Sequence, residues 1–277
     1  MASPGYYAVD LELPLAEDKS REWPPAERKV KAEITSATSH TGFHRYTFPI
    51  LKVSAPQHRT VSVLVDACHT ASADVEPLGH VNGEAEADWH RQRNEDNSKQ
   101  SCAAATITVN QSAQTFSGWV DNRGALTGRA STGAVRVHFF ASLTASCGNF
   151  PNDTEVLAAS GMGAWADYVL LPASPNRINC TTASSSNASG SAGAFLTFPQ
   201  CSNGKILMAE IAVGISFIDT MQARANLEQA LRNISAASAN AVLLADFKSK
   251  SNSVFEKARA VAQNLWRRQL AAVQVGL

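Results

Sequence analysis

The chain has 277 residues, with 24 Lys and Arg against 24 Asp and Glu, and so carries no net charge. That balance argues against nucleic acid or an anionic membrane surface as a partner, since both are bound by displacing counterions from a basic face. A content of 44% apolar and 17% charged residues is that of a globular chain long enough for a sizeable core, and no apolar run approaches the ~18 residues of a spanning helix.

The chain begins MASPGYYAVDLEL, with no basic segment leading into an apolar one, and so without the form of a signal peptide. Alternating runs rich in Val, Ile, Thr, Tyr and Phe predict strands at about 6–13, 28–38, 42–49, 60–67, 103–110, 113–120, 133–144, 165–171, 193–199 and 205–217. So many short strands without intervening helices predict antiparallel sheets stacked as a sandwich. The ending differs. Asp219 followed by Gln222 has the form of a capping box that opens a helix to about Leu231. From Ser253 to Val273, Phe255, Ala258, Ala262, Leu265 and Ala272 recur at helical spacing, with Trp266 on the same side. The expected organisation is a sandwich over 1–218 and a helical segment over 219–277. Residues 71–101 read as a long mixed-charge loop and 181–193 as a low-complexity one.

The five cysteines admit two readings. All are buried free thiols, or Cys68–Cys102 and Cys180–Cys201 each close a loop and Cys147 is left over. None stands in a C-x-x-C pair, which argues against a structural zinc site. Glycosylation triplets begin at Asn110, Asn152, Asn179, Asn187 and Asn233. Triplets and cysteines point to secretion, whereas the missing signal sequence points the other way; a secreted full-length protein is expected, with a cytosolic one as the alternative.

Chemical motifs are sparse. GMGAWA at 161–166 fits a dinucleotide-binding pattern, but ADYVLLP after it is extended where a helix should open, so cofactor binding is rejected. His40 and His44 have the spacing of a helical metal pair, yet in extended sequence their rings would stand about 13 Å apart on one strand face. Glu33 and Asp66 are acids on or beside strands, where a groove-lining role competes with a plain surface one. Trp89, Trp119 and Trp165 are candidates for stacking on sugar rings, because an aromatic face suits a surface of C–H bonds with polar edges.

Several strings resemble the amino-terminal domain of glycoside hydrolase family 92, the exo-acting α-mannosidases. They are SPGYYAVDLE at 3–12, VKAEITSATSHTGFHRYTFP at 30–49, VLVD at 63–66, FSGWV at 116–120, VRVHFFASL at 135–143, GAFLTFP at 193–199, VGISFIDTMQARANLEQAL at 213–231 and LWRRQLAAVQV at 265–275. The resemblance is collinear over nearly the whole chain. It implies a galactose-mutarotase-like supersandwich followed by linker helices, an (α/α)-barrel catalytic domain in cis, mannose-containing glycans as partners and a calcium ion in the full-length enzyme. Inverting hydrolysis needs an acid and a base flanking a water molecule. The family's catalytic acids lie in the barrel, so the resemblance carries no catalytic residue onto this chain, and no cofactor is expected within it. An earlier segment of the family's domain also has no counterpart before Met1, which reads as an internal start.

The expected function is therefore the sandwich part of an α-mannosidase that trims mannose-rich N-glycans, inactive without its barrel. The alternative is a free-standing carbohydrate-binding or structural sandwich module without catalysis.

Overall fold

The computed structural model describes residues 1–12, 29–49, 60–68, 101–123, 134–149, 153–166, 169–172, 177–182, 192–201, 205–239 and 253–271. In chain order the strands are β1 (Ala2–Ser3), β2 (Tyr6–Glu12), β3 (Lys29–Thr38), β4 (Thr41–Thr47), β5 (Thr60–Asp66), β6 (Ser101–Asn110) and β7 (Thr115–Arg123). They continue with β8 (Val135–Asn149), β9 (Asp153–Leu157), β10 (Gly161–Ala166), β11 (Val169–Leu170), β12 (Arg177–Thr182), β13 (Ala192–Pro199) and β14 (Ile206–Ser216). Two helices follow, α1 (Thr220–Ala239) and α2 (Val254–Ala271).

The strands form two antiparallel sheets. The large one runs β1-β2-β3-β4-β14-β8-β7-β6-β12, with β9 paired to β8, and the small one runs β11-β10-β13-β5. Between them lies a core to which the large sheet gives Ile107, Val109, Phe116, Ala141, Leu143, Leu207 and Ile211, and the small sheet Val63, Ala164, Ala194, Leu196 and Phe198. The period-2 pattern gives the large sheet a second buried face. On β14, Leu207, Ala209 and Ile211 enter the inter-sheet core, while Glu210, Ala212 and Gly214 face the helices. A Cβ at Gly214 would collide with the Ala223 carbonyl oxygen and Leu227, so its absence lets α1 lie against the sheet. Tyr6, Ala8, Ala37 and Phe43 from the sheet pack there with Leu227 and Ile234 of α1 and Phe255 and Ala258 of α2. The fold is thus an antiparallel β-sandwich with helices laid on its larger sheet. No helix among the described residues is long and apolar enough to cross a membrane.

Capping explains where the helices start. Asp219 Oδ1 accepts the Gln222 amide at 2.6 Å, and Ser253 Oγ accepts the Glu256 amide at 3.4 Å. Differences from the expected elements have local causes. The run 165–171 turns over on itself, so that β10 ends at Ala166 and β11 pairs back onto it. GMGAWA is β10 itself, hydrogen-bonded to β13. β9 (DTEVL) and β12 (RINCTT) were not anticipated: one is short and acidic, the other rich in polar residues, and both are strands through their pairing with β8 and β6.

The cysteine pattern needs a correction. Cys68 is bonded to Cys102, but Cys201 is bonded to Cys147 rather than to Cys180. Cys180 lies on β12, where its backbone pairs with Ile107 of β6, whereas Cys147 on β8 and Cys201 past β13 have Cα atoms 5.5 Å apart. Both bonds join one sheet to the other. Cys68 follows the Asp66 end of β5, where β5 pairs with Gly193; Cys201 follows Pro199, which pairs with the Thr60 end. The small sheet is therefore tied to the large one at both ends.

Disulfide mapping under non-reducing conditions should return Cys68–Cys102 and Cys147–Cys201. The bonds span 34 and 54 residues, which in the chain-entropy picture is about 4 kcal/mol each. Replacing both cysteines of either pair by alanine should lower the melting temperature by several degrees or more.

Candidate functional site

The face of the large sheet beneath the helices holds the main polar cluster. Register places Glu33 on β3 beside Arg45 on β4, and Arg45 beside Glu210 on β14, in one cross-strand row. Helix α2 brings Ser253 and Glu256 down onto it. Arg45 Nε donates to Glu210 Oε1 at 3.0 Å, Nη1 to Glu256 Oε1 at 2.5 Å and Nη2 to Ser253 Oγ at 2.9 Å, while Glu33 Oε2 lies 3.7 Å from Nη1. The guanidinium also sits 4.3 Å over the Phe255 ring. Glu33 accepts from Tyr6 Oη at 2.5 Å and from Lys31 Nζ at 3.0 Å. Arg259 of α2 lies 3.8 Å over the Tyr6 ring.

Burial works against charge here and is outweighed. It would raise the Glu33 carboxyl, but the hydrogen bonds from Tyr6 and Lys31 and the Arg45 charge hold it below the ordinary carboxylate value. Burial and the bond to Glu33 push the Tyr6 phenol up to about 12. Three carboxylates thus converge on a protein cation, which is an arrangement for fastening a helix rather than for receiving a ligand.

Further along the same face, β7 alternates so that Phe116 and Val120 enter the core and Trp119 stands outward. Arg136 on β8 lies 3.7 Å over the Trp119 ring and donates to both Asp121 oxygens, at 2.8 and 2.9 Å. His138, the register partner of Trp119, has Nδ1 3.4 Å from Thr220 Oγ1 at the start of α1. Next to this, the β14–α1 junction exposes Phe217, Ile218 and Met221 at 63, 74 and 79%.

The three candidate tryptophans do not form one site. Trp119 is on the outer face of the large sheet, with one ring face covered by Arg136. Trp165 is on β10 of the small sheet, opposite Gly193. Trp89 lies outside the described residues. Glu33 is buried in the helix-fastening cluster and lines no groove, while Asp66 ends β5 and accepts the Cys68 amide at 2.9 Å. His40 is in the turn between β3 and β4, not on the strand with His44. His44 sits on β4, 3.3 Å from the Tyr46 hydroxyl, where burial pushes its imidazole down. Among the triplets, Asn110 closes β6 and accepts from Ser112 Oγ and the Ala113 amide. Asn179 is in β12, Asn233 is exposed within α1, and Asn152 and Asn187 lie outside the described residues.

The model of the glycosyl hydrolase family 92 N-terminal domain matches residues 1–216. The chain belongs to this family. A solved family 92 α-mannosidase from Bacteroides thetaiotaomicron shares 18% identity and a TM-score of 0.54, over 100% of this chain and 25% of that one. A second family 92 glycosyl hydrolase shares 20% identity and a TM-score of 0.52, again over 100% and 25%. At such identities the likeness is one of fold, and this family 92 chain spans about a quarter of the length of those solved relatives. A search of curated proteins finds no match.

Arg45, Glu210 and Glu256 were not singled out from the sequence; S-x-x-E at Ser253–Glu256 was the one local signal within reach. Replacing Arg45 by methionine leaves three carboxylates without their shared cation and should cost about 3–5 kcal/mol near neutral pH. The deficit should shrink in denaturant melts as acid protonates them.

Tyr6 titrates in the opposite sense. The fold holds the neutral phenol, so its contribution is full below the unfolded value of about 10. It falls as pH rises from there towards about 12. Melts of Tyr6→Phe and the parent between pH 9 and 12 (roughly the phenol range) should show the parent losing stability more steeply.

Proposed function

We propose that this chain is the non-catalytic sandwich half of an exo-α-mannosidase that trims mannose-rich N-glycans, and that hydrolysis requires a separate (α/α)-barrel domain. The observation that carries this reading is the family match over residues 1–216 in a chain one quarter as long as the solved mannosidases. The polar chemistry supports it. Glu33, Glu210 and Glu256 are engaged with Arg45, and Asp121 with Arg136, so these carboxylates are held to arginines rather than set about a water molecule.

The exposed Phe217, Ile218 and Met221, with Leu265, Trp266 and Leu270 on the outer part of α2, are the surfaces we assign to barrel contact. Apolar side chains grouped this way mark a face that is covered in its working state. Calcium does not fit the described residues: no three or more His, Cys, Asp or Glu side chains among them are grouped to hold a metal, and the main carboxylate cluster already encloses a guanidinium. Two disulfides support folding in an oxidising compartment.

The purified chain should release no mannose from a high-mannose oligosaccharide, measured by chromatography of the products. Release that a point change in this chain abolishes would sink the proposal. The chain should also self-associate with rising concentration in light scattering, and Ile218→Ser with Met221→Ser should lower the apparent mass. A monodisperse parent monomer would count against the barrel-contact surface.

A further inference from the structure

One of the glycosylation triplets is held in a turn that the mannosidase reading does not use. Asn110 ends β6, and Gln111 and Ser112 open the connection to β7, where Ser112 and Ala113 are exposed. The connection is tied down at several points. Gln114 takes a left-handed backbone at φ 49°; its amide donates to the Gln111 carbonyl at 3.2 Å and its carbonyl accepts the Leu143 amide at 2.9 Å. Gln111 Nε2 donates to the Ala159 carbonyl at 2.8 Å. Within this turn Asn110 Oδ1 accepts from Ser112 Oγ at 2.9 Å and from the Ala113 amide at 3.0 Å. A backbone N–H can only donate, which fixes the oxygen on that side of the Asn110 amide. Neither bond uses Nδ2, the atom that carries the sugar of an N-glycan.

The other described triplets are placed differently. Asn179 lies within β12, where it pairs with Thr108 of β6, and Thr181 pairs with Thr106, so that triplet is part of a strand ladder. Asn233 is exposed on α1, and its Oδ1 accepts from Gln229 Nε2 at 2.8 Å. Residues two apart on a helix do not face each other, so Ser235 is turned away from Asn233. Ile234 between them is buried in the cluster beneath the helices. A transferase has to take the asparagine and the hydroxyl two places on from one side. The triplet at 110–112 offers that side in the finished fold, whereas the one at 233–235 offers it only with α1 unwound.

We propose that Asn110 is the residue among these three triplets that carries an N-linked oligosaccharide. The step joins Asn110 Nδ2 to the anomeric carbon of an oligosaccharide borne on a lipid diphosphate. The bond from that carbon to the diphosphate oxygen breaks, the lipid diphosphate leaves with the electron pair, and Nδ2 gives up one proton. The Ser112 hydroxyl is the recognition element two places on. Its bond to Asn110 is local, so a nascent chain makes the turn without the rest of the sandwich: short loops close in ~10–100 ns, well within the time of adding one residue at roughly 5–20 residues per second. The sugar is bulky and solvated, and a turn that already exposes Ser112 and Ala113 projects it outward. The proposal needs passage through an oxidising compartment, which the two disulfides support separately. It draws on neither the barrel nor the substrate, so it and the mannosidase reading fail separately.

The test is expression of the whole chain behind an added signal peptide in a eukaryotic host. N-glycans are then released enzymatically in heavy-oxygen water, which turns each glycosylated asparagine into a labelled aspartate, and the peptides are mapped by mass. Most copies should carry the label at Asn110 and few at Asn233. Asn110→Gln and Ser112→Ala should each remove one glycan from the intact mass, Ser112→Thr should keep it, and Asn233→Gln should leave the glycan mass unchanged. Chain from cells and medium is read together, so a variant that folds or exports poorly still reports its occupancy, and Ser112→Thr tests the turn with Asn110 in place. A parent chain that has formed both disulfides but carries no label at Asn110 overturns the proposal. Label at Asn233 in place of Asn110, or a glycan at Asn110 that survives Ser112→Ala, overturns it too.

Discussion

One guanidinium fastens α2 to the sandwich. Arg45 rises from the middle of the large sheet and is met by carboxylates from two neighbouring strands, Glu33 and Glu210, and from α2, Glu256. Buried charges of this kind stabilise only when every partner is present, because any single removal leaves the others desolvated and repelling. Lys31 and Arg259 complete the balance, at 3.0 Å from Glu33 and 3.8 Å from Glu256. Phe255 and Ala258 pack into the apolar cluster beneath the helices; the charge row fixes where along the sheet α2 sits. A helix bound by hydrophobic contacts alone could slide by a turn, whereas one whose Ser253 and Glu256 must reach Arg45 cannot do so without stranding a charge.

The two sides of the sandwich are secured by different means. Helices are attached to the large sheet by packing and by the Arg45 row, all of it formed without oxidation. The small sheet has no backbone ladder to the large one among the described residues, and its attachment is side-chain packing in the core plus two covalent bonds at opposite ends. Alanines at 105, 141, 145, 164, 192, 194 and 209 in that core let the sheets approach closely while giving up buried area per residue, which makes the covalent ties more valuable than in a core of larger side chains.

Legibility in the sequence followed the range of the interaction. Strands such as 30–38 and 205–216 were readable because they are rich in β-branched and apolar residues and each residue's face follows its neighbours two positions away. Helix starts at Asp219 and Ser253 were readable through local capping and periodicity. What failed was long-range. The partners of Arg45 lie 165 and 211 positions away, and no local pattern marks them. Cys201 was paired with Cys180 because they bracket a loop, but β12 runs to the far edge of the large sheet beside β6, while Cys201, past the end of β13, meets Cys147 of β8. The tryptophans looked equivalent as residues, and strand order then placed Trp119 and Trp165 on opposite outer faces.

The distribution of glycines gives the sharpest contrast between the two outer faces. On the large sheet, Gly214 admits a helix, and the space that a side chain would fill is taken by Leu227 and the α1 backbone. On the small sheet, Gly163 and Gly193 admit aromatic rings from the next strand. The same deletion of a side chain therefore serves closure on one face and a flat aromatic surface on the other. An exposed Phe or Trp upright on a strand would be an aggregation liability. Laid over glycine, much of its area is already buried.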